Sequence, residues 1–354
     1  MVTGTRAEFG LLSPVMRAVR GHAALRLSTI VTGTHLVTDT RRDVVDAGFA
    51  IDAEVAMQRP GETGRLADAA ALGRGVTGLA EASGQLQPLF VVVLGDRIEA
   101  LAAASAASVA GIRVAHLHGG DRAEGVADEA MRHAITKLAH LHLPATARSR
   151  RRILRLGEPA GGVFRVGSPA IDALRGVRPA DDGPEVIVLQ HPCGDDDETE
   201  RRRMAATLNA TADRDRLVLL PNHDPGRGGI VRAIDDAGVE AVDHLPRDRF
   251  LSLLMSARAI VGNSSAGLIE AAGLRTPCVN VGRRQAGREA PRSVVSCIDD
   301  HDPAAIAAAL RKAESLNLKG MRHPYGHGRT GERVAALLAG IELEDVPLRK
   351  RNTF

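Results

Sequence analysis

Short apolar runs of strand length alternate with helix-like patterns along almost the whole chain. The intervening stretches repeat apolar residues every three to four positions, as in Ile98–Val109, Asp128–Ala139 and Phe250–Ala257. Alternation on this scale predicts an α/β fold with parallel sheets and helices on both faces. Besides a strand remnant at Val2, the predicted strands are Arg26–Thr32, Leu89–Leu94, Arg113–Leu117, His140–Pro144, Val163–Val166, Val186–Gln190, Leu217–Pro221, Ala259–Val261 and Pro277–Val281.

The length of the chain and the number of strands predict two domains. With 354 residues, of which 44% are hydrophobic and 25% are charged, the chain can bury a sizeable core. The region Pro169–Pro184 is rich in Gly, Pro and Asp and is the expected hinge. The predicted organisation is an N-terminal domain over 1–172, a C-terminal domain over 173–330, a segment 331–347 whose helix (Glu332–Leu343) packs back, and a disordered Arg-rich tail over 348–354.

The N-terminal strand is unusually short. Met1 and Val2 lead straight into a loop and a helix, whereas a loop of this kind normally follows a buried strand of about four to six residues. We therefore expect this strand to extend further at its N-terminal side. No charged leader with an apolar core opens the sequence.

Charge balance and composition argue against several classes of protein. The net charge is +3, but the arginines are spread along the chain, only four lysines occur and aromatic residues make up 2%. The stacking platforms of single-strand nucleic-acid binders are therefore missing. The longest apolar runs are of strand length, so no membrane span is expected.

The three cysteines, Cys193, Cys278 and Cys297, lie far apart in the sequence and form no metal-ligand spacing. They are expected to be reduced thiols in a cytoplasmic protein. We expect neither a metal ion nor a redox cofactor.

The segment Gly262–Ser265 is a Gly-Asn-Ser-Ser turn between an apolar strand and an apolar-periodic helix. Free N–H groups at a helix start, the helix dipole and the hydroxyls of Ser264 and Ser265 predict a phosphate-sized anion site. Glu270 lies about one and a half turns into the predicted helix, where a carboxylate can accept hydrogen bonds from ribose hydroxyls. Phosphate plus ribose indicates a nucleotide, and a plain Ser N-cap followed by a surface Glu gives the same pattern.

Polar loops follow four of the predicted strands. Because ligands of open α/β sheets bind beyond the carboxyl ends of the strands, these loops are candidate site segments. Each alone is typical of a turn or a cap, but all are expected at carboxyl edges. The loops are Gly95-Asp96-Arg97, His118-Gly119-Gly120-Asp121, His191-Pro192 and Pro221-Asn222-His223-Asp224.

The helix predicted over Asp128–Ala139 carries charged pairs near its start. Asp128 and Arg132 are four residues apart and are predicted to pair on one face, and Glu129 and His133 form a parallel pair. A solvated amphipathic helix has a similar pattern. The glycines that precede this helix favour a functional role, since they let the backbone approach a ligand closely.

Together, these segments resemble the hydrolysing UDP-N-acetylglucosamine 2-epimerases of the bacterial sialic-acid pathway. The resemblance covers nearly the whole chain and implies two Rossmann-like domains facing across a cleft, as in B-type glycosyltransferases. It places acid/base residues on the N-terminal domain and the nucleotide mainly on the C-terminal domain. The resembling segments, in order, are TGTRAEFGLL, GTH, GDRIE, HGGD, DEAMRHAITKLAHLH, VGSPAID, QHP, PNHDPG, and GNSSAGLIE through GRE.

The resemblance also implies the reaction and the residues that perform it. The reaction converts UDP-N-acetylglucosamine to N-acetylmannosamine and UDP through a 2-acetamidoglucal, for the synthesis of sialic-acid-like nonulosonates. The implied catalytic residues are Asp96, His118, Asp121, Asp128, Arg132 and His191. The implied UDP- and substrate-binding residues are Arg6, His191, Asn222, His244, Phe250, Asn263, Ser264, Ser265, Glu270 and Arg288.

The loop after the strand Arg113–Leu117 departs from the family patterns. Non-hydrolysing members have Glu in a His-x-Glu motif where this chain has His118, and hydrolysing relatives often read His-Gly-Gly-Glu where this chain has Asp121. The usual Gly-Thr-Arg-Pro-Glu start of the non-hydrolysing enzymes is also absent, since Ala7 follows Arg6. These differences favour hydrolysis.

Other functions share parts of this pattern. The same reaction on a GDP-N-acetylglucosamine or on a UDP-diacetamido-trideoxy sugar uses the same motifs, as does the non-hydrolysing 2-epimerase. A glycosyltransferase of the same architecture needs no acid/base residues near C2 of the sugar, and a non-catalytic nucleotide-sugar binder needs no turnover at all. A homodimer or homotetramer is expected from the resemblance, and the Ala-rich helix Glu99–Ala110 fits either a subunit interface or a buried helix.

Overall fold

The strand pairings that hold the described residues together are all parallel. The computed structural model describes residues 1–123, 129–222, 224–243 and 245–353, and their contacts divide the chain into two units. The first unit comprises 1–121, 129–173 and 325–353, and the second comprises 122–123 and 174–324 without residues 223 and 244. Each unit has parallel strands with helices packed on them, which confirms the predicted α/β class of two Rossmann-like domains.

The first unit contains two three-stranded ladders, β1-β2-β3 and β4-β5-β6, which adjoin at β1 and β4. Parallel strands need crossover connections, and helices supply them here. The strands are β1 Val2–Thr3, β2 Ile30–Thr32, β3 Ala53–Val55, β4 Phe90–Leu94, β5 Arg113–Leu117 and β6 Leu141–Leu143. The helices are α1 Arg6–Arg20, α2 Thr34–Val37, α3 Arg41–Asp46, α4 Arg65–Leu86, α5 Ile98–Val109, α6 Glu129–Leu138, α7 Ala147–Arg155 and α8 Pro169–Asp172.

The second unit is built on a single six-stranded sheet in the order β12-β11-β10-β7-β8-β9. Its strands are β7 Val186–Leu189, β8 Arg216–Leu219, β9 Ala241–Val242, β10 Ala259–Gly262, β11 Cys278–Val281 and β12 Val294–Cys297. Its helices are α9 Asp197–Ala210, α10 Arg227–Asp236, α11 Arg247–Ser256, α12 Ser265–Leu268, α13 Glu270–Leu274 and α14 Pro303–Glu314. The last helix, α15 (Thr330–Gly340), belongs to the first unit and packs on α1.

The central strands are continuous apolar runs because both of their faces are covered. Val186, Val188 and Val261 lie in the core of the second unit, and Val91 and Val93 in that of the first. The alanines of α5 are buried inside the first unit, where this helix packs on α4. Small side chains at this contact let the two helices approach closely.

Three short strands were not predicted from the sequence, and all three are at sheet edges. β3, β9 and β12 each pair with a single neighbour, so they are only partly buried and their sequences are mixed. Conversely, the strand predicted over Val163–Val166 forms only one bridge, between His142 and Val163. The chain turns away at Gly167, which adopts φ 88°.

The Arg-rich tail differs from the predicted disorder. Residues 343–353 form hydrogen bonds to the first unit, and Lys350 lies in an ion pair with the buried Glu158. The tail is therefore anchored by charge rather than by apolar packing, which is why its polar sequence predicted disorder. Within the described part of the chain, no helix combines the length and the hydropathy needed to cross a membrane.

Candidate active site

Asp96 and Arg132 meet at the carboxyl end of β4. A guanidinium nitrogen of Arg132 contacts Oδ2 of Asp96, and the same side chain donates to Glu129 Oε2 at 2.6 Å and to the Asp121 carbonyl at 3.3 Å. Arg132 is buried, whereas the Asp96 side chain keeps 21% of its surface exposed. Arg132 thus ties the loops after β4 and β5 to α6 and leaves one carboxylate accessible.

Of the two charge pairs predicted on α6, only one has both of its residues in the described part of the chain. The pairing of Glu129 with His133 is confirmed, at 3.1 Å. Asp128 lies outside the described residues, so its expected pairing with Arg132 and its catalytic role stay predictions. Among the described residues, Arg132 pairs with Asp96 and Glu129.

His118 and Asp121 form a buried hydrogen-bonded pair in the loop after β5. His118 Nδ1 lies 2.8 Å from Asp121 Oδ2, and His118 Nε2 lies 2.9 Å from the Ser168 hydroxyl. Ser149 donates its hydroxyl to the other oxygen, Asp121 Oδ1, at 2.6 Å. Both ring nitrogens of His118 are therefore engaged inside the first unit, and both oxygens of Asp121 accept hydrogen bonds.

The backbone of this loop is tightly packed. His118 adopts φ 61°, a conformation that is uncommon for residues other than glycine. Gly120 adopts φ 72°, and a Cβ there would lie 2.4 Å from the Ser149 carbonyl oxygen. These two backbone conformations produce the turn that places the Asp121 carboxylate next to the His118 ring.

His116, on β5, is structural. Its Nε2 bonds to the Gly95 carbonyl at 2.7 Å, and burial lowers the pKa of its imidazole to about 3. A neutral imidazole that donates to this carbonyl fixes the loop in which Asp96 lies.

Arg6, on the first turn of α1, faces Asp43, and its Nε lies 2.6 Å from Asp43 Oδ2. Two buried carboxyl groups that were not predicted from the sequence, those of Glu8 and Glu99, lie nearby. Glu8 accepts from the Gly4 N–H at 2.6 Å, and burial, with the neighbouring Glu99 adding to it, raises the pKa of Glu8 to about 8. The sequence contains both residues in the TGTRAEF and GDRIE segments, but only packing brings them together.

His191 and Asn263 join two strand ends in the second unit. Asn263 accepts from the His191 N–H at 2.7 Å and donates to the His191 carbonyl at 2.8 Å. The Asn222 N–H donates to His191 Nδ1 at 3.2 Å, so the ring proton resides on Nε2. Burial, with Arg284 adding to it, lowers the pKa of His191 to about 3, which leaves a neutral ring with one N–H to donate.

The predicted helix after the Gly-Asn-Ser-Ser turn is divided in two. Ser264 is the N-cap of α12 and accepts from the Ala266 N–H at 3.3 Å, with Ser265 next to it. The break falls at Ile269, which adopts φ −109° and ψ −68°, and whose carbonyl accepts from His323 at 2.9 Å and from the Gly273 N–H at 3.0 Å. A helix of four residues has a weak dipole, so anion binding here depends on the hydroxyls, the N–H groups and nearby arginines.

Glu270 therefore begins α13 instead of lying within a longer helix. It is buried, and Arg247 Nη2 lies 3.2 Å from its Oε1. Arg288 follows β11 in a loop and has a buried Nε with no hydrogen-bond partner among the described residues. Phe250 lies half-buried on α11, and His244 lies outside the described residues.

The loop after β11 also brings two unpredicted side chains to the turn. Arg284 Nη1 and Gln285 Nε2 donate to the Asn263 carbonyl at 3.3 and 2.8 Å. The sequence shows both within GRRQAGRE, but the motif alone did not distinguish Arg284 from Arg288. Among the described residues, no cluster of three or more His, Cys, Asp or Glu side chains is arranged to hold a metal ion.

Two Rossmann-like units with polar residues at the carboxyl ends of their strands define a class of α/β proteins that bind ligands at those edges. The protein-family model for UDP-N-acetylglucosamine 2-epimerase matches residues 17–339. The chain belongs to this family.

Named relatives match over the full length. The chain is 33% identical to UDP-N,N'-diacetylbacillosamine 2-epimerase (hydrolyzing) of Legionella pneumophila, over 100% of this chain and 98% of that protein. It is 29% identical to UDP-N-acetylglucosamine 2-epimerase of Neisseria meningitidis, over 99% and 97%. The fold is shared with the crystal structure of Methanocaldococcus jannaschii UDP-GlcNAc 2-epimerase in complex with UDP-GlcNAc and UDP, with a TM-score of 0.80 and 19% identity over 95% of this chain and 98% of that one.

Proposed function

We propose that this epimerase is hydrolysing: it converts UDP-N-acetylglucosamine and water to N-acetylmannosamine and UDP. The observation that carries the proposal is the His118 side chain. Both of its ring nitrogens are occupied, by Asp121 and Ser168, at the position where non-hydrolysing members have Glu. The proton-transfer carboxylates of this chain therefore differ from those of enzymes that return UDP to the glycal.

The first half of the proposed reaction is an elimination. The C2 proton of the sugar is weakly acidic, so it leaves only as the C1–O bond to the diphosphate breaks, giving a 2-acetamidoglucal and UDP. The hydroxyls of Ser264 and Ser265, the guanidinium of Arg284 and the Nε2–H of His191 bind the diphosphate and its developing charge. Each preorganised donor contributes about 3 kcal/mol to such a transition state.

We assign the rest of the nucleotide site to residues of the second unit. Arg288 contributes its buried, unpartnered Nε to the UDP, and Glu270, held by Arg247, accepts from the ribose hydroxyls. Asn222 and Asn263 hold the His191 loop, and His244 and Phe250 flank the uracil. We also assign Arg6 to binding of the diphosphate, as the resemblance implies.

The second half of the reaction is the addition of water. Water adds its oxygen to C1 of the glycal, and a proton is delivered to C2 on the face opposite to the one from which the first proton left. We assign proton transfer to the carboxyl groups of Asp96, Asp121 and Asp128. Arg132 orients Asp96, and His118 with Ser149 orients Asp121. General acid–base catalysis of this kind raises the reaction rate by roughly two to four orders of magnitude.

A second substrate is favoured by a specific observation. The Legionella relative acts, by its name, on UDP-N,N'-diacetylbacillosamine, and it matches this chain over its whole length. The chemistry at C1 and C2 is the same for both sugars. In either case the free 2-acetamido sugar is the product that we propose feeds the synthesis of a nine-carbon acid.

Proton NMR time courses on three nucleotide sugars test the proposal. UDP-N-acetylglucosamine, its GDP counterpart and the UDP-diacetamido-trideoxy sugar are supplied in parallel at equal concentration. Release of a free 2-epimeric sugar with UDP supports hydrolysis and identifies the substrate. Accumulation of UDP-N-acetylmannosamine refutes hydrolysis, and sugar transfer to an added acceptor without epimerisation indicates a glycosyltransferase.

A further inference from the structure

The helix α6 is fixed at both of its ends. Near its start, Arg132 contacts Asp96 and the Asp121 carbonyl. At its end, Nζ of Lys350 donates to the Lys137 carbonyl at 2.6 Å and to the Thr136 carbonyl at 3.4 Å. A cation at this position satisfies carbonyl groups that the helix leaves open and complements its dipole.

A buried carboxylate holds the same lysine. Glu158 is 2% exposed, and its oxygens lie 2.6 Å from Lys137 Nζ, 2.7 Å from Lys350 Nζ and 3.0 Å from His142 Nε2. Burial alone raises the pKa of Glu158, but hydrogen bonds from these three side chains outweigh burial and lower it to about 2. The carboxylate is thus charged at neutral pH and binds α6 and the tail together.

The rest of the tail is anchored beside this cluster. Arg113, the first residue of β5, donates to the Leu343 and Val346 carbonyls at 2.9 and 2.7 Å. Lys137 Nζ donates to Asn352 Oδ1 at 2.7 Å, and the Thr353 N–H donates to the Gly157 carbonyl at 3.0 Å. Segments on both sides of Lys350 are therefore fixed to the first unit, so its ammonium has a defined position.

We propose that Lys350 is a positioning residue for the reaction: it fixes α6 along its axis and so keeps Arg132 against Asp96. Arg132 and Lys137 are five residues apart, about 7.5 Å along a rigid helix, so a shift at the last turn is transmitted to Arg132. Misplacement of a reacting group by about 1 Å costs on the order of a hundredfold in rate. The kinetic part of this inference rests on the proposed function.

A purely structural anchor makes different predictions. If the tail only stabilises the first unit, loss of Lys350 lowers the melting temperature and leaves kcat per folded molecule unchanged. If Lys350 positions Arg132, kcat falls while KM changes little, because the proposed nucleotide-binding residues other than Arg6 lie on the second unit.

The kinetic test uses three full-length variants. We expect Lys350→Met to lower kcat by roughly ten- to a hundredfold with KM within about twofold, and Lys350→Arg to restore much of the loss. Arg349→Met, which removes the neighbouring exposed charge, is the matched control and keeps wild-type kcat. An unchanged kcat in Lys350→Met, or an equal loss in Arg349→Met, overturns the proposal.

A double-mutant cycle and amide hydrogen exchange complete the test. If Lys350 acts through Arg132, Lys350→Met lowers kcat only slightly further in an Arg132→Lys background. A full additional loss of kcat contradicts action through Arg132. Independently of any turnover, Lys350→Met speeds exchange in Glu129–Leu138 more than in α4, and equal exchange in the two helices refutes the anchoring. A wild-type protein without turnover would defeat the proposed function, and the exchange result would still decide the role of Lys350 in holding α6.

Discussion

His118 and Asp121 are joined by a 2.8 Å hydrogen bond from Nδ1 to Oδ2, made possible by the positive φ of His118. The bond closes a chain of contacts from the Ser168 hydroxyl through His118 and Asp121 to the Ser149 hydroxyl. Because both ends of the imidazole are used, we assign to His118 the orientation of Asp121 and not contact with the sugar.

Replacement of His118 by Asn tests this role. Asn tolerates the left-handed backbone of this position but is too short to make both bonds, so a buried carboxylate loses a donor. We expect His118→Asn to lower the free energy of unfolding by about 1–3 kcal/mol in urea titrations and to lower kcat with little change in KM. The control is His301→Asn, at an exposed position, and its free energy of unfolding should stay within about 0.5 kcal/mol of the wild-type value. Equal free energies of unfolding for the two variants would show that the hydrogen bonds of His118 do not stabilise the protein.

Asp96→Asn separates binding from catalysis. The change removes an accessible carboxylate at the end of β4 but leaves the second unit, with its diphosphate-binding residues, unaltered. We expect kcat to fall by about 10²–10⁴ while the affinity for UDP, measured by titration calorimetry, stays the same. Turnover that survives the change would remove Asp96 from the mechanism.

The neutral state of His191 predicts a pH profile. Since burial and Arg284 lower its pKa to about 3, His191 does not titrate between pH 5 and 9. We expect His191→Ala to lower kcat by roughly 10²–10³, the effect of losing one donor to a developing anion, and to leave the shape of the profile unchanged. An acid limb with a midpoint near 6.5 that disappears in this variant would contradict a neutral donor.

Glu8 predicts a loss of stability at alkaline pH. The pKa of Glu8 is raised from 4.5 to about 8 in the folded protein. The contribution of its carboxyl group to folding stability is therefore fully present below pH 4.5 and is lost as the pH rises through 8. Glu8→Gln keeps an oxygen for the Gly4 N–H and cannot ionise. We expect the free energy of unfolding of this variant to exceed that of wild type by about 1–3 kcal/mol at pH 8 and to equal it near pH 4.5. Glu81→Gln, on the exposed side of α4, should show no such pH dependence in thermal melts.

The central strands and the polar loops after them could be predicted from the sequence. A fully buried parallel strand is an unbroken apolar run, and a polar residue at its end marks the carboxyl edge of the sheet. Asp96, His118, His191 and Asn263 all lie at such ends. The edge strands were missed because one neighbour and partial burial leave no continuous apolar run.

The remaining parts of the candidate site depend on packing between distant segments. Ser149 and Ser168 reach Asp121 and His118 from α7 and from the start of α8, and neither stands in a pattern that marks a ligand. The break at Ile269 interrupts an apolar period that the sequence continues to Leu274. The ordered tail depends on Glu158, whose burial no local pattern reveals.

The isotope content of the product formed in heavy water tests the proposed hydrolysing mechanism most directly. UDP-N-acetylglucosamine, or whichever of the three nucleotide sugars is turned over, is incubated with the enzyme in D₂O and the released sugar is examined by NMR. We expect free 2-epimeric sugar, with UDP in equal amount and one deuterium at C2 of every product molecule. Product that retains its C2 proton, or a deuterated sugar that remains attached to UDP, would contradict it.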